Sequence, residues 1–217
     1  LSRPRYKAVT LDLVGTIALF DPAEEIIARF AAAKGYPVGV EEARRAIRAT
    51  RVSREGKTPR EFYIELNEAV LRALGIPGTG EELLAYWFDP GNYRVEPCVP
   101  GALAELRGAG VKLGIVSNNL SWEVEALLGE AGLTGLFDAV ATPDTAGVFK
   151  PHPGIFHYAL RLLQAGPAEA LHAGDSLRED YEAARAAGMD AVLVAERCPP
   201  RIKCIRSVCP LPPEVLG

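Results

Sequence analysis

Side-chain amides are nearly missing from this 217-residue chain: Asn67, Asn92, Asn118, Asn119 and Gln164 are all of them. Asn and Gln are thermolabile, so their scarcity beside abundant Ala, Arg, Glu and Pro suggests a thermophilic source. No stretch approaches the roughly 18 apolar residues of a membrane span. An excess of one charge is also missing. The net charge of −4 offers nothing to nucleic acid or an anionic bilayer, so phosphate-rich polymers are excluded as partners. A small anionic substrate held by a local cluster is not excluded. Arg3, Arg5 and Lys7 precede an apolar run, as in a signal peptide. Asp12 interrupts that run and no small-residue cleavage site follows, so the expected location is the cytoplasm.

Cysteine is sparse and uneven: Cys98 stands alone, while Cys198, Cys204 and Cys209 crowd the tail. Their spacing matches no paired C-x-x-C zinc pattern, which favours a structural disulfide or plain thiols over a metal site. Pro199-Pro200 and Pro212-Pro213 predict irregular chain in that tail. The three histidines, His152, His157 and His172, lack ligand spacing and are assigned no chemistry.

What is present is an ordinary globular composition, 48% hydrophobic and 24% charged. The length allows one large domain, or a core with a modest insert. The run Val9-Thr10-Leu11-Asp12-Leu13-Val14-Gly15-Thr16 reads as a doubly buried parallel strand that ends on a carboxylate. From about residue 98 onward, strand patterns alternate with helical ones. Strands are predicted at 111–116, 137–141, 170–173 and 191–195, with helices at 100–109, 122–131, 153–163 and 178–187. That alternation implies βαβ units and a mostly parallel sheet. Between residues 18 and 97, four helical stretches (22–34, 41–51, 59–74 and 81–88) follow one another with turns between them. The expected architecture is a Rossmann-like α/β core, residues 1–17 and 98–217, with an inserted all-helical cap at 18–97.

Four segments carry chemical groups to strand ends, where open α/β sheets bind ligands. Asp12 is either a nucleophile or metal ligand, or an Asp that merely initiates a turn. Ser117 and Asn118 could donate to an anionic oxygen, yet Ser117 or Ser121 could simply cap a helix. Lys150 lies in Phe149-Lys150-Pro151-His152-Pro153, where prolines restrict the backbone and so fix the ammonium's direction; otherwise it is an ordinary surface lysine. Asp175 follows a strand at once, and Asp180 follows a helical turn later. Such a pair can share a hard cation, or can cap a helix and complement its dipole.

In this order the segments, Asp12-x-x-Gly15-Thr16, Ser117-Asn118, Lys150-Pro151 and Gly174-Asp175 with Asp180, resemble the four motifs of the haloacid dehalogenase superfamily. The resemblance spans essentially the whole chain, because the helices after the first motif resemble that superfamily's cap. It implies that Asp12 accepts a phosphoryl group as an aspartyl phosphate. Mg²⁺ would be held by Asp12, the Val14 carbonyl and Asp175. Ser117, the Asn118 backbone and Lys150 would bind the transferring oxygens, with Thr16 and Asp180 in supporting positions outside them. The implied substrate is a small phosphorylated metabolite.

One position departs from the pattern. Phosphatases of the superfamily carry a second Asp two residues after the nucleophile, where it protonates the leaving oxygen; here Val14 stands there. A haloacid dehalogenase, which also lacks that Asp, is the competing reading. Asp175 weighs against it, because an unneutralised carboxylate would repel both Asp12 and a haloacid. Arg44, Arg45 or Arg51 could bind a haloacid carboxylate, but they read as solvated helix residues. The aromatics Phe62, Tyr63, Tyr86, Trp87 and Phe88 read as cap core rather than as a substrate pocket. A third reading is a catalytically silent module that retains phosphate and Mg²⁺ affinity.

Overall fold

A computed structural model describes residues 4–216. In chain order the strands and helices begin with β1 (Ala8–Leu11), β2 (Ala18–Phe20), α1 (Ala23–Ala33), α2 (Val40–Ala49), α3 (Pro59–Leu74) and α4 (Gly80–Trp87). Next come β3 (Tyr93–Val95), α5 (Val99–Gly108), β4 (Lys112–Val116), α6 (Ser121–Glu130), β5 (Ala139–Ala141), α7 (Pro143–Ala146) and α8 (Pro153–Leu163). The chain closes with β6 (Ala170–Gly174), a π-helical segment (Leu177–Glu182), α9 (Ala183–Ala186), β7 (Asp190–Val194), β8 (Cys204–Ile205) and α10 (Leu211–Leu216). It divides into two compact units: Leu1–Leu19 with Val95–Gly217, and Phe20–Arg94.

The first unit is built on a six-stranded sheet in the order β5-β4-β1-β6-β7-β8. Each neighbouring pair runs parallel. All four residues of β1 and all five of β6 are buried, as expected for central strands covered on both faces. The order steps from β1 to β4 on one side and to β6 on the other, which makes β1 the switch point where a crevice opens at the strands' carboxyl ends. One layer of the core joins Ile155, Phe156, Ala159, Leu160 and Leu163 of α8 to Val116, Ala139 and Ala141 of the sheet. Gly114 in β4 lets that helix close in, since a Cβ there would stand 3.0 Å from Leu163 Cδ1.

The second unit packs Ile27, Phe30, Ala31, Ala43, Val70, Leu71, Ile76 and Leu83 into its own core. Capping boxes start α3 at Thr58/Glu61 and α4 at Thr79/Glu82, and Gly75 in the left-handed region ends α3. Gly80 permits a close crossing of α4 over α3, because a Cβ would meet the Ile64 carbonyl oxygen at 2.0 Å. Phe30 meets Tyr86 edge-on and Phe20 stacks on Tyr93, so these rings serve this unit's packing. Two short strands absent from the sequence reading, β2 and β3, pair as a two-stranded sheet. Three-residue strands are too brief to leave a period in the sequence.

The tail differs from its expectation. Pro199 and Pro200 do lie in irregular chain, but β8 then extends the sheet beside β7 and α10 buries Leu211, Pro212 and Val215. Pro212 and Pro213 fall in the first turn of α10, where a missing N–H has no helical partner to lose. The Val215 carbonyl accepts from the Arg5 backbone N–H at 2.9 Å. All four cysteines are paired, Cys98 with Cys209 and Cys198 with Cys204. No helix among the described residues is long and apolar enough to cross a membrane.

The two disulfides close loops of very different length, with sequence separations of 111 and 6. Chain-entropy reasoning gives the longer loop about 5 kcal/mol of stabilisation and the shorter about 2 kcal/mol. Denaturant unfolding of Cys98→Ser/Cys209→Ser should therefore show roughly twice the loss seen for Cys198→Ser/Cys204→Ser. A larger loss from the short loop would contradict this.

Candidate active site

The site is assembled from backbone that leaves the sheet at its carboxyl edge. β1 ends at Leu11 and delivers Asp12, whose N–H donates to the Ala173 carbonyl of β6 at 2.9 Å. The chain then turns sharply: Gly15 has φ +88, and a Cβ there would stand 2.5 Å from Asp175 Oδ2. Only glycine meets both demands. β4 delivers Ser117, Asn118 and Asn119, and β6 delivers Asp175 and Ser176.

Lys150 sits among these tips. Its peptide to Pro151 is cis, and the Asn118 side chain clasps its backbone from both sides. Lys150 N donates to Asn118 Oδ1 at 2.7 Å, and Asn118 Nδ2 donates to the Lys150 carbonyl at 3.2 Å. The ammonium, in a residue only 2% exposed, donates to Asp12 Oδ1 at 2.7 Å and to Asp180 Oδ1 at 2.6 Å. Asp180 is tied further, accepting from Ser176 N at 2.9 Å and lying 3.2 Å from His172 Nε2. Thr10 Oγ1 lies 2.9 Å from the other ring nitrogen, His172 Nδ1, so both imidazole nitrogens have a partner. Thr16 Oγ1 donates to Asp12 Oδ2 at a long 3.4 Å.

A cavity of about 240 Å³ opens on this arrangement. Asp12, Val14, Ser117, Asn118, Lys150, Asp175 and Asp180 line it, joined by Asn119, Ser176 and Glu179. The sequence-derived candidates thus converge, except Thr16, which lies behind Asp12. Val14 lines the cavity with a side chain that can neither give nor take a proton.

The charges do not balance. One ammonium faces Asp12, Asp175, Asp180 and Glu179. Burial pushes the Asp12 carboxyl up to about 7; Lys150 opposes that shift and Asp180 reinforces it. Asp175 is also raised, by burial and then by the Asp180 charge. Burial works against Asp180 too, but the His172 hydrogen bond and the Lys150 charge outweigh it and hold its carboxyl well below the usual range. Burial alone would favour neutral Lys150; the charges of Asp12 and Asp180 outweigh it and raise its pKa. Asp12, Asp175 and Asp180 each bring one oxygen within 4.8 Å of the others. An all-oxygen donor set with surplus negative charge is chemistry suited to a hard divalent cation.

Several members were not legible beforehand. His172 was assigned no chemistry, yet it is fully buried against Asp180; β1–β6 register places Thr10 opposite it. The predicted helix from 178 starts instead as the π-helical segment, in which Tyr181 N reaches the Ser176 carbonyl at 3.1 Å. Such widened turns recur at functional sites; here Asp180 is swung back over Ser176 N. Asn119, Ser176 and Glu179 left no sequence signal distinct from caps and loops. Among the arginines considered, Arg44 pairs with Glu24 and Glu41 of its own unit. Arg51 donates to the carbonyls of Arg48 and Thr50.

Replacing Lys150 with Met would strand buried carboxylates without their cation. With no divalent ion added, K150M should lose about 3–5 kcal/mol at pH 8. Unpaired buried carboxyls have folded pKa values above their unfolded ones, so the variant's stability is lost as pH rises. Asp180 in the native chain has a depressed pKa and loses its contribution as pH falls. The first effect narrows the gap toward pH 4, where Asp180 still keeps most of its contribution because its loss begins only below the ordinary carboxylate range; melts at the two pH values that gave equal gaps would contradict the ion cluster's role.

Comparison with known proteins follows this geometry. The family described as "Hydrolase: haloacid dehalogenase-like hydrolase" matches residues 6–188. Haloacid dehalogenase-like hydrolase domain-containing protein 3 of Xenopus laevis is 32% identical over 155 residues, 69% of this chain and 63% of that protein. Phosphoserine phosphatase of Thermus thermophilus is 35% identical over 129 residues, 58% of this chain and 51% of that protein. The matches thus span less than two thirds of either relative. The crystal structure of a HAD phosphatase from Thermococcus onnurineus superposes with a TM-score of 0.69 at 29% identity, covering 94% of this chain and 95% of that one. L-2-haloacid dehalogenase of Xanthobacter autotrophicus shares the fold, with a TM-score of 0.71 at 22% identity over 96% and 97% of the two chains. This chain belongs to the haloacid dehalogenase-like hydrolase family.

Proposed function

We propose that this chain is a Mg²⁺-dependent hydrolase of small phosphate monoesters that works through phosphorylation of Asp12 and turns over slowly on alkyl esters. The observation that carries the reading is the placement of Lys150 between Asp12 and Asp180, in a cavity also lined by Ser117, Asn118 and Asp175. Phosphatases among the relatives support the substrate class.

The residues fit Mg²⁺. Three carboxylates gather their oxygens closely, and the missing Gly15 side chain lets Asp175 close in on the turn after Asp12. Asp12, Asp175 and the Val14 carbonyl would hold it, with Asp180 already committed to Lys150, His172 and Ser176. The ion would supply neutralisation of the phosphoryl oxygens.

The chain's own groups do the rest. Lys150, the Ser117 hydroxyl and the Asn118 backbone N–H bind the equatorial oxygens and spread their charge. One Asp12 oxygen attacks phosphorus as the ester P–O bond breaks, and its electron pair leaves on the alcohol oxygen. Water then attacks phosphorus, the bond to Asp12 breaks, and orthophosphate departs with the carboxylate restored. Phosphoryl transfer consists mainly of such positioning and electrostatics.

The weak step is protonation of the leaving oxygen. Val14 stands where a general acid would be, and losing one costs about 10²–10⁴-fold. Aryl and acyl phosphates, whose leaving groups need less help, are the substrates best served. Asp175 beside Asp12 argues against direct attack on a haloacid, since among the described residues lining the cavity Lys150 alone is cationic. The role proposed for the helical unit is that of a cap.

The test is a panel of alkyl phosphates, aryl phosphates and haloacids with and without Mg²⁺, run on the native chain and on Val14→Asp. The native chain should show metal-dependent turnover that falls steeply from aryl to alkyl esters. V14D should gain about 10²–10⁴-fold on alkyl esters. Equal native rates on both ester classes, or metal-independent halide release, would overturn the reading, and inactivity of both proteins would favour a binding module.

A further inference from the structure

Anion binding through Ser117 needs its hydroxyl proton, and in this structure that proton is engaged elsewhere. Ser117 Oγ donates to Asn119 Oδ1 at 2.9 Å and accepts from Asn119 N at 3.2 Å. A serine has one proton to give. The far end of the Asn119 amide is fixed by Glu123 on α6, with Asn119 Nδ2 donating to Glu123 Oε2 at 3.2 Å. The same oxygen accepts from Leu120 N at 2.8 Å, as in a capping box.

A simple cap would leave the glutamate in water. Glu123 is instead 1% exposed, and its second oxygen, Oε1, is buried without a hydrogen-bond partner. Burial pushes this carboxyl up to about 7, against the opposing pull of the Leu120 N–H and the Asn119 amide. The charged group acting on it from α7 is Asp144, which raises it further. Both protonation states are therefore populated near neutrality.

Each state dictates how the Asn119 amide must lie. An ionised Glu123 can only accept, so Nδ2 faces it and Oδ1 takes the Ser117 proton. A protonated Glu123 can donate to Oδ1. The amide then turns over, Nδ2 donates to Ser117 Oγ, and the hydroxyl proton is released toward the cavity. Two lone pairs on Oγ suffice for Nδ2 and the Asn119 N–H together.

We infer that Glu123 and Asn119 are positioning residues: a proton taken up by Glu123 reverses the Asn119 amide and frees the Ser117 hydroxyl to hold an anionic oxygen. The inference deepens the phosphate-hydrolase reading and rests on it. No covalent bond changes; one proton is bound at Glu123 for each anion gripped by Ser117. The device acts on binding of the transferring group, so it shifts anion affinity with pH.

Sulfate is the suitable probe because it stays a dianion across the range. Its binding to the full chain is measured by calorimetry between pH 6 and 8, with and without Mg²⁺. One hydrogen bond to a charged group corresponds to on the order of tenfold in affinity. The native chain should therefore bind sulfate about tenfold more weakly at pH 8 than Asn119→Ala, which lacks the competing acceptor, while the two converge at pH 6. Glu123→Gln keeps a carbonyl for Leu120 N and Asn119 Nδ2 but has no proton to offer there. It should bind weakly at both pH values, and thermal melts should show both variants folded. Asp12 is retained in all three proteins, so the comparison between profiles, rather than any single profile, reports on Glu123. Should E123Q fail to fold, the N119A profile decides alone. Parallel native and N119A profiles overturn this inference and leave the hydrolase reading standing. Absence of sulfate binding in every protein at every pH overturns the anion site itself, and this inference with it.

Discussion

The arrangement at the sheet's carboxyl edge depends on one buried ammonium. Lys150 is contributed by a loop far along the chain from Asp12, and its three protons are nearly spent on Asp12 and Asp180. Without that cation, carboxylates delivered by β1 and by the segment after β6 would repel one another in a poorly solvated space. The price of hiding so much charge is met by satisfying almost every polar atom around it: Asn118 clasps the lysine backbone, and Ser176 and His172 hold Asp180. Buried charge is tolerated when it is paired and hydrogen-bonded in this way.

That cluster in turn relies on a stiff platform. β1 and β6 are buried throughout, and their register sets Thr10 opposite His172, so the prop beneath Asp180 is part of the sheet itself. Gly15 and Gly174 show how closely the parts approach. A Cβ at either would run into the Asp175 or the Asp180 carboxylate. Residues on rigid strand ends hold their geometry better than residues on free loops, which suits chemistry that consists mostly of positioning. The long-range Cys98–Cys209 link and the docking of α10 secure the tail to the same unit.

Even so, the negative charge is left in surplus, and this imbalance connects the architecture to the proposed activity. A cavity lined by Asp12, Asp175, Asp180 and Glu179 would repel a phosphate ester unless a divalent cation joined Lys150. Val14, in the same lining, carries a side chain that cannot transfer a proton. The proposed activity follows from these two features together, surplus negative charge beside one ammonium and a valine where a proton carrier would be needed.

The sequence by itself determined the α/β alternation, the helical interval and the residues at the strand tips. Buried parallel strands leave apolar runs, and those runs end visibly at Asp12, Ser117 and Gly174-Asp175. Pro151 and Pro153 marked Lys150 in the same local way. Only the tertiary structure decided what depends on distances between remote segments. The pairing of Cys98 with Cys209 across 111 residues, the seat of His172 under Asp180 and the burial of Glu123 all belong to this class. So do β8 and α10, which are too short to carry a period and form because a sheet edge and a core face were there to receive them. Local patterns record which groups face inward; only packing in three dimensions fixes which of them touch.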